Sequence, residues 1–179
     1  PKTVLDDIEY RHLALKGIKI RPNTTIGGAI GIDDLFRDGY KSIFIGTGVW
    51  KPNSLHIKGE TFGNVHFGIN YLNNPDSYHL GETVIVIGAG NVAMDAARTA
   101  LRIGAASVTV LHREAANDVP ALKAEYEAAK QEGVNFLPAV TPLRFMVTNK
   151  VLGLQYSSLS TEPSINQQQR TFINADKII

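Results

Sequence analysis

The sequence predicts an α/β fold: a parallel sheet with flanking helices, plus an antiparallel β-meander on one side. Three observations carry this. Thr83-Val84-Ile85-Val86-Ile87 is a β-branched run, apolar on both faces, which is the pattern of a strand inside a parallel sheet. A glycine turn and an alanine-rich helical stretch follow it, and then a second apolar run, Ser107-Val108-Thr109-Val110-Leu111. After residue 139 the rhythm changes to strand-like pieces at 143–147, 152–156 and 170–173, separated by polar, turn-like stretches.

The elements can be justified in order. Thr3 caps a first helix with Asp6 three residues on, and Val4, Leu5, Ile8 and Leu13 follow at helical spacing. Gly17 suits its left-handed stop. Ile18-Lys19-Ile20 alternates like a short strand, ended by Pro22-Asn23. A short helix is predicted over 33–37, with Asp38-Gly39 as its exit turn, and Ser42-Ile43-Phe44-Ile45 reads as a buried strand closed by Gly46-Thr47-Gly48. Residues 51–64, with Pro52, Gly59 and Gly63, read as an irregular connection, and 65–72 as a helix or extended segment. Beyond the glycine turn a helix is predicted over 91–103, with Gly104 at its end. Pro120 opens another helix running to about Gln131, with Gly133 after it, and Asn135-Phe136-Leu137 is a short strand. The chain stops inside the apolar pattern Asp176-Lys177-Ile178-Ile179, so we expect it to be a piece of a longer polypeptide.

Composition narrows the function. At 179 residues, the chain is one domain, or one domain plus a fragment of another. With 18 basic and 17 acidic residues, the net charge of +1 creates no field to attract nucleic acid or anionic lipid. The absence of cysteine excludes disulfides, thiolate metal sites, iron–sulfur ligation and cysteine nucleophiles within this chain. No apolar run reaches the roughly 18–20 residues of a membrane span, and no signal peptide opens the chain. A cytoplasmic location is expected, without nucleic-acid or membrane partners. His12, His56, His66, His79 and His112 show no metal-ligand spacing. Gly27-Gly28-Ala29-Ile30-Gly31 lacks the Lys-Ser/Thr of a nucleotide P-loop and reads as a flexible turn. Ser157-Ser158 reads as a turn, and Trp50 as a loop anchor. No acid–base or nucleophilic set is complete, so no catalytic residue is assigned.

The chemistry is carried by Gly88-Ala89-Gly90-Asn91-Val92-Ala93, a G-x-G-x-x-A turn placed directly after a strand and directly before a helix. Gly88 permits the tight turn, Gly90 leaves room for a pyrophosphate, and Ala93 lets the helix lie close to the sheet. The helix N-terminus then offers unpaired N–H groups to phosphate oxygens. This is a Rossmann-like arrangement. About 20 residues past the first glycine such folds place an acidic residue on the ribose 2′-hydroxyl. Here His112-Arg113 occupies that place, a pair that suits a 2′-phosphate, so NADPH is expected over NADH. Glu114 follows and leaves NADH open.

Several segments together resemble the two-dinucleotide-binding flavoproteins. Ile43-Phe44-Ile45-Gly46-Thr47-Gly48, Lys51-Pro52 and Ile57-Lys58-Gly59-Glu60 are similar to the segment leading into their pyridine-nucleotide domain. Gly88 to Ala93 and Leu111-His112-Arg113-Glu114 resemble their NADPH site, including that of thioredoxin reductase. Asn117-Asp118-Val119-Pro120-Ala121, Gln131-Glu132-Gly133-Val134 and Phe136-Leu137-Pro138 add to a likeness that fits best the glutamate synthase small subunit, the related part of dihydropyrimidine dehydrogenase, and ferredoxin-linked NADPH oxidoreductases.

The resemblance implies an FAD-dependent oxidoreductase in which hydride passes from NADPH to FAD and electrons pass onward, often to iron–sulfur clusters. It implies that Gly88, Ala89, Gly90, Asn91, Val92 and Ala93 hold the pyrophosphate, that His112 and Arg113 hold the 2′-phosphate, and that Gly46, Thr47 and Gly48 lie at a crossing near flavin. Residues 1–48 would be the C-terminal part of an FAD-binding domain, 49–175 an inserted NAD(P)H-binding domain, and 176–179 the start of the strand returning to the FAD domain. The implied partners are that FAD domain and an iron–sulfur or catalytic domain or subunit. The family often has two consecutive arginines where this chain has His112-Arg113, which implies weaker and more pH-dependent phosphate binding. The N-terminal FAD glycine motif and the redox-active cysteine pair of the thioredoxin reductase branch are absent from the sequence. Strands left without neighbours would expose edges and favour a homo-oligomer. The alternative is a non-catalytic dinucleotide-binding regulatory module. A short-chain-type dehydrogenase is disfavoured, because its glycine turn would sit near the chain start and a Tyr-x-x-x-Lys pair is not expected.

Overall fold

The computed structural model describes residues 6–8, 11, 17–148, 151–158 and 170–179. The chain divides into two compact units, Pro1–Gly48 and Val49–Ile179.

In the first unit, Asp6, Asp7 and Ile8 are helical, whereas Thr3, Val4, Leu5 and Leu13 of the expected first helix lie outside the described residues. Gly17 has a φ of +69°. Helix α1 spans Ile32–Arg37, and Asp38 and Gly39 end it as expected. The Asp34 carboxylate accepts the Gly31 N–H at 2.9 Å, filling one free donor at the helix start. Neither Ile18-Lys19-Ile20 nor Ser42-Ile43-Phe44-Ile45 forms a strand, which corrects two expectations. Alternation supplies the faces of a strand, but a ladder needs a neighbour, and none lies alongside within the described residues. Phe44 is consequently 95% exposed.

In the second unit, the irregular connection leads to α2 (Gly68–Asn73) and a 3₁₀ turn (Pro75–Ser77). Then come β1 (Thr83–Ile87), α3 (Asn91–Arg102), β2 (Ser107–Leu111), α4 (Lys123–Gln131) and β3 (Asn135–Leu137). The meander is β4 (Val140–Thr148), β5 (Val151–Ser158) and β6 (Arg170–Ala175), and β7 (Lys177–Ile178) follows it. The first sheet has the order β3-β2-β1-β7 and is parallel throughout, with Thr83 opposite Ser107, Ile87 opposite Leu111 and Ile85 opposite Ile178. The second sheet, β4-β5-β6, is antiparallel.

Three sequence-based boundaries need correction here. Ser157 and Ser158 belong to β5 and not to a turn, and Ser157 is buried. Strand β4 begins before Pro142, which it accommodates on an edge strand through a bulge between Pro142 and Arg144. Helix α4 starts at Lys123 and not at Pro120, for a reason given below.

Both faces of β1 are covered, which explains its lack of alternation. Val84 and Val86 pack with Val108 and Val110 of β2 against Ala93, Met94, Ala96, Ala97 and Ala100 of α3. Ile85, Leu111 and Ile178 pack on the other face against Val140, Phe145, Leu152 and Leu154 of the meander. Arg98 and Arg102 of α3 both bond the Glu132 carboxylate just past α4, and their positive charge holds it below the usual carboxylate range. Among the described residues, no helix is long and apolar enough to cross a membrane.

Candidate functional site

At the end of β1 the chain turns at Gly88, whose φ of +128° is a conformation that L side chains rarely adopt. The Gly88 N–H donates to the Leu111 carbonyl at 2.9 Å, which pins the turn to the end of β2. Gly90 caps α3, and its carbonyl accepts the N–H groups of Ala93 at 3.0 Å and Met94 at 3.2 Å. Among the described residues, the N–H groups of Asn91 and Val92 have no protein acceptor. A Cβ added at Gly90 would meet nothing within 4 Å, so the space over these donors is open. Ala93 is buried with Ala96, Ala97 and Ala100, and these small side chains seat the 12-residue helix close to the strands. The result is a helix mouth with free donors and the positive end of a dipole, which suits an anion.

Two tethers reach this turn from the segment before α4. The Ala121 N–H donates to the Ala89 carbonyl at 3.0 Å, and the Leu122 N–H donates to Asn91 Oδ1 at 2.9 Å. They explain why α4 starts three residues later than Pro120 suggests: the backbone at 121–122 is held extended towards the turn, with Leu122 at ψ 133°. They also show what the sequence reading missed, because the Asn91 side chain faces a neighbouring backbone amide. No local pattern signals a bond 31 residues away.

The end of β2 continues into His112, Arg113 and Glu114, and the beginning of β4 pins them. The Val140 N–H donates to the His112 carbonyl and the Ala139 N–H to the Glu114 carbonyl, both at 3.0 Å. The His112 side chain has no exposed surface, and neither ring nitrogen has a hydrogen-bond partner. It lies edge-on to Phe136 at 6.4 Å between ring centroids. Burial pushes its pKa down, outweighing the opposite pull of Glu114, so the imidazole is neutral at pH 7. The period-2 pattern contains this information, because His112 continues the buried row of Val108 and Val110.

Arg113 is the opposite case. Its side chain is 82% exposed, with Nε 3.2 Å from Glu114 Oε1. Burial raises the Glu114 pKa, but its own backbone N–H and Arg113 prevail and hold the carboxyl below its ordinary range. The structure therefore places Gly88–Ala93 and Arg113 around the carboxyl ends of β1 and β2, with the His112 ring turned into the protein.

A cavity of about 210 Å³ opens at the carboxyl ends of β1 and β7. Its lining includes Ile87, Ile178, Ile179, Phe67, Gly68 and Phe145. A Cβ at Gly68 would lie 3.4 Å from Val92 Cγ1 and 3.9 Å from Ile179 Cγ2, so the cavity borders the first turn of α3. From β1 the chain crosses to β2 on one side, while β7 pairs on the other, and ligands of open parallel sheets bind at such switch points.

Gly46, Thr47 and Gly48 belong to the first unit and form exposed chain without regular secondary structure. Trp50 is 70% exposed, so its ring does not anchor the loop by burial. One Tyr-x-x-x-Lys spacing does occur, at Tyr126 and Lys130, and corrects the expectation that there is none. Tyr126 is buried against Phe136, and Lys130 Nζ lies 4.4 Å from its ring centroid, so the pair packs α4. Among the described residues, no group of three or more His, Asp or Glu side chains is placed to hold a metal.

Residues 13–179 match the family model of the pyridine nucleotide-disulphide oxidoreductases. The chain is 30% identical over 158 residues to the glutamate synthase (NADPH) small chain of Azospirillum brasilense, covering 80% of this chain and 33% of that protein. It is 36% identical over 140 residues to the NADP(+)-dependent formate dehydrogenase subunit beta of Moorella thermoacetica, covering 75% and 20%. It is 31% identical over 165 residues to the NADPH-Fe(3+) oxidoreductase subunit beta of Geobacter sulfurreducens, covering 86% and 24%. The chain thus spans about a third or less of the length of these relatives. Among solved structures, the thioredoxin reductase of T. acidophilum superposes with a TM-score of 0.57 at 18% identity, over 72% of this chain and 40% of that one, and shares the fold.

Proposed function

The chain belongs to the pyridine nucleotide-disulphide oxidoreductase family, and on that premise we propose that it is the NADPH-binding portion of a longer FAD-dependent oxidoreductase like the glutamate synthase small chain. The observation that carries this reading is the open helix mouth at Gly90, where a side chain would fill the space over free N–H donors.

In this reading Gly88 and Ala89 make the turn, and Gly90 leaves room for the pyrophosphate. Asn91 and Val92 donate their N–H groups to it, and Ala93 seats the helix. Arg113 takes the 2′-phosphate through its exposed guanidinium, and His112 backs that position from inside. The cavity beside Val92, lined mainly by apolar side chains and also by Asn53, Glu60 and His66, suits the nicotinamide end. When bound, the two cofactors supply the hydride donor and its flavin acceptor. The chain's own contribution is to bind and orient, without a side chain acting as acid or base.

Residues 1–48 are assigned to the end of an FAD-binding domain, 49–175 to an inserted NAD(P)H-binding domain, and 176–179 to the strand that returns. The division after Gly48 and the exposure of Phe44 and Ile45 support this, as does the short span relative to the relatives. Gly46, Thr47 and Gly48, with exposed main chain, are assigned to the crossing beside flavin. The partners would be the FAD domain of the same polypeptide and a further electron-carrying domain or subunit, in the cytoplasm. Alone, the chain should bind nucleotide and turn nothing over.

Calorimetric titration with NADPH and NADH tests the reading. NADPH should bind more tightly, and Arg113→Ala should weaken it by about tenfold to a hundredfold, the range for one charge-assisted contact. Equal weak binding of both, unchanged by the substitution, would overturn the assignment.

A further inference from the structure

We propose that Glu60 is a positioning residue for the nicotinamide end of the ligand, holding residues 53–56 in place as a wall of the cavity beside Val92. The inference rests on the dinucleotide reading above.

The geometry is that of a loop folded round one carboxylate. Glu60 Oε1 accepts the Leu55 N–H at 2.6 Å, while Oε2 accepts the Ser54 hydroxyl at 2.6 Å and the His56 N–H at 3.0 Å. Burial raises the Glu60 pKa, but these bonds prevail and hold the carboxyl below its ordinary range, so it is an anion at pH 7. His56 has a φ of +55°, a left-handed conformation that a residue with a side chain adopts at a cost. Asn53, Ser54, Leu55 and His56 are all exposed, so burial does little to keep them in this shape. The base beneath the carboxylate, by contrast, is fixed. The Phe145 N–H of β4 donates to the Lys58 carbonyl at 2.8 Å, and a Cβ at Gly59 would lie 2.7 Å from the Phe145 carbonyl oxygen. Glu60 therefore stands on a segment docked to the meander and draws the loop towards it.

Asn53, Leu55 and Glu60 line the cavity together with Phe67, Gly68 and Ile179. A loop already in place spares the ligand the cost of ordering it on binding. Its release should be felt by the nicotinamide and not by the phosphates, which meet the mouth of α3 and Arg113. Glutamine keeps the shape of Glu60, but its amide nitrogen would face an N–H or hydroxyl donor with a donor of its own.

The test is calorimetric titration of the wild-type chain, Glu60→Gln and Ser54→Ala with NADPH and with 2′-phospho-ADP-ribose, which lacks only the nicotinamide. Thermal melting first shows each variant to be folded. Glu60→Gln should weaken NADPH about tenfold and 2′-phospho-ADP-ribose by less than about twofold, because the ligand must then order the loop. Hydrogen exchange should show protection lost at Leu55 and His56. Ser54→Ala removes one of the bonds to the carboxylate and should weaken NADPH about threefold with the same selectivity. Equal weakening of both ligands, or NADPH binding unchanged in both variants, overturns this inference and leaves the dinucleotide reading standing. A wild type that binds the two ligands equally tightly does the same. Binding of neither ligand by the wild type overturns both.

Discussion

The two faces of the parallel sheet are packed by opposite means. Four buried alanines of α3 meet Val84, Val86, Val108 and Val110 on one face. On the other, Ile85, Leu111 and Ile178 meet Phe145, Leu152 and Leu154. Small side chains bring a helix axis close to the strands, so the mouth of α3 lands beside the glycine turn. Large side chains fill volume and place no helix end. The first face is built for position and the second for cohesion, and substitutions can separate the two.

The largest expected effect is on the meander face. Leu154 is buried on that face and does not line the cavity, and Leu154→Ala should cost about 2–5 kcal/mol in urea unfolding, while the protein that remains folded binds nucleotide as before. Next is the helix face, where Ala97→Leu should cost about 1–3 kcal/mol by overpacking. It should also weaken nucleotide binding, because it pushes α3 off the sheet. Unchanged binding there would break the distinction between the faces. Gly90→Ala sharpens it further: with open space at that position, stability should move by less than about 1 kcal/mol. Nucleotide affinity should nonetheless fall at least about tenfold, a drop of roughly 1.4 kcal/mol.

The smallest effect is on pH dependence. Burial pushes the pKa of both His66 and His112 down, and Lys177 adds to the shift at His66. The unfolded chain therefore takes up protons first. Stability is intact above the ordinary histidine pKa of about 6.5 and declines as pH falls below it. Both rings lie against aromatics of the helix-side core, His66 on Tyr78 and His112 on Phe136. Between pH 7 and 5, protection from hydrogen exchange, taken relative to the intrinsic amide rate at each pH, should accordingly fall in α3 before it falls in β5. His112→Phe should flatten the pH dependence of the urea midpoint.

Much of this was legible in the sequence. β1, β2 and β3 have the predicted bounds: β1 and β2 are apolar runs rich in β-branched residues, and the short β3 is closed off by Gly133 and Pro138. The order of turn, helix and second strand was legible for the same reason. The missing strands at 18–20 and 42–45 were not foreseen, since a local pattern cannot say whether a neighbour exists. The start of α4 was misplaced because a proline is locally a good first helical residue, yet Ala89 and Asn91 hold the next two amides. Adjacency made His112 and Arg113 look like one cationic pair, whereas alternation turns one inward and leaves the other in water.

The tethers from Ala121 and Leu122 have a consequence for tolerated variation. Both are made by main-chain N–H groups, so they are indifferent to most side chains, and at Leu122, which is 63% exposed, nearly any residue should serve. Proline alone lacks the hydrogen. One imino acid there, on an unremarkable stretch of surface, would free the Asn91 side chain and leave the Ala121 bond alone to hold the loop to the glycine turn, with no residue assigned to the ligand replaced.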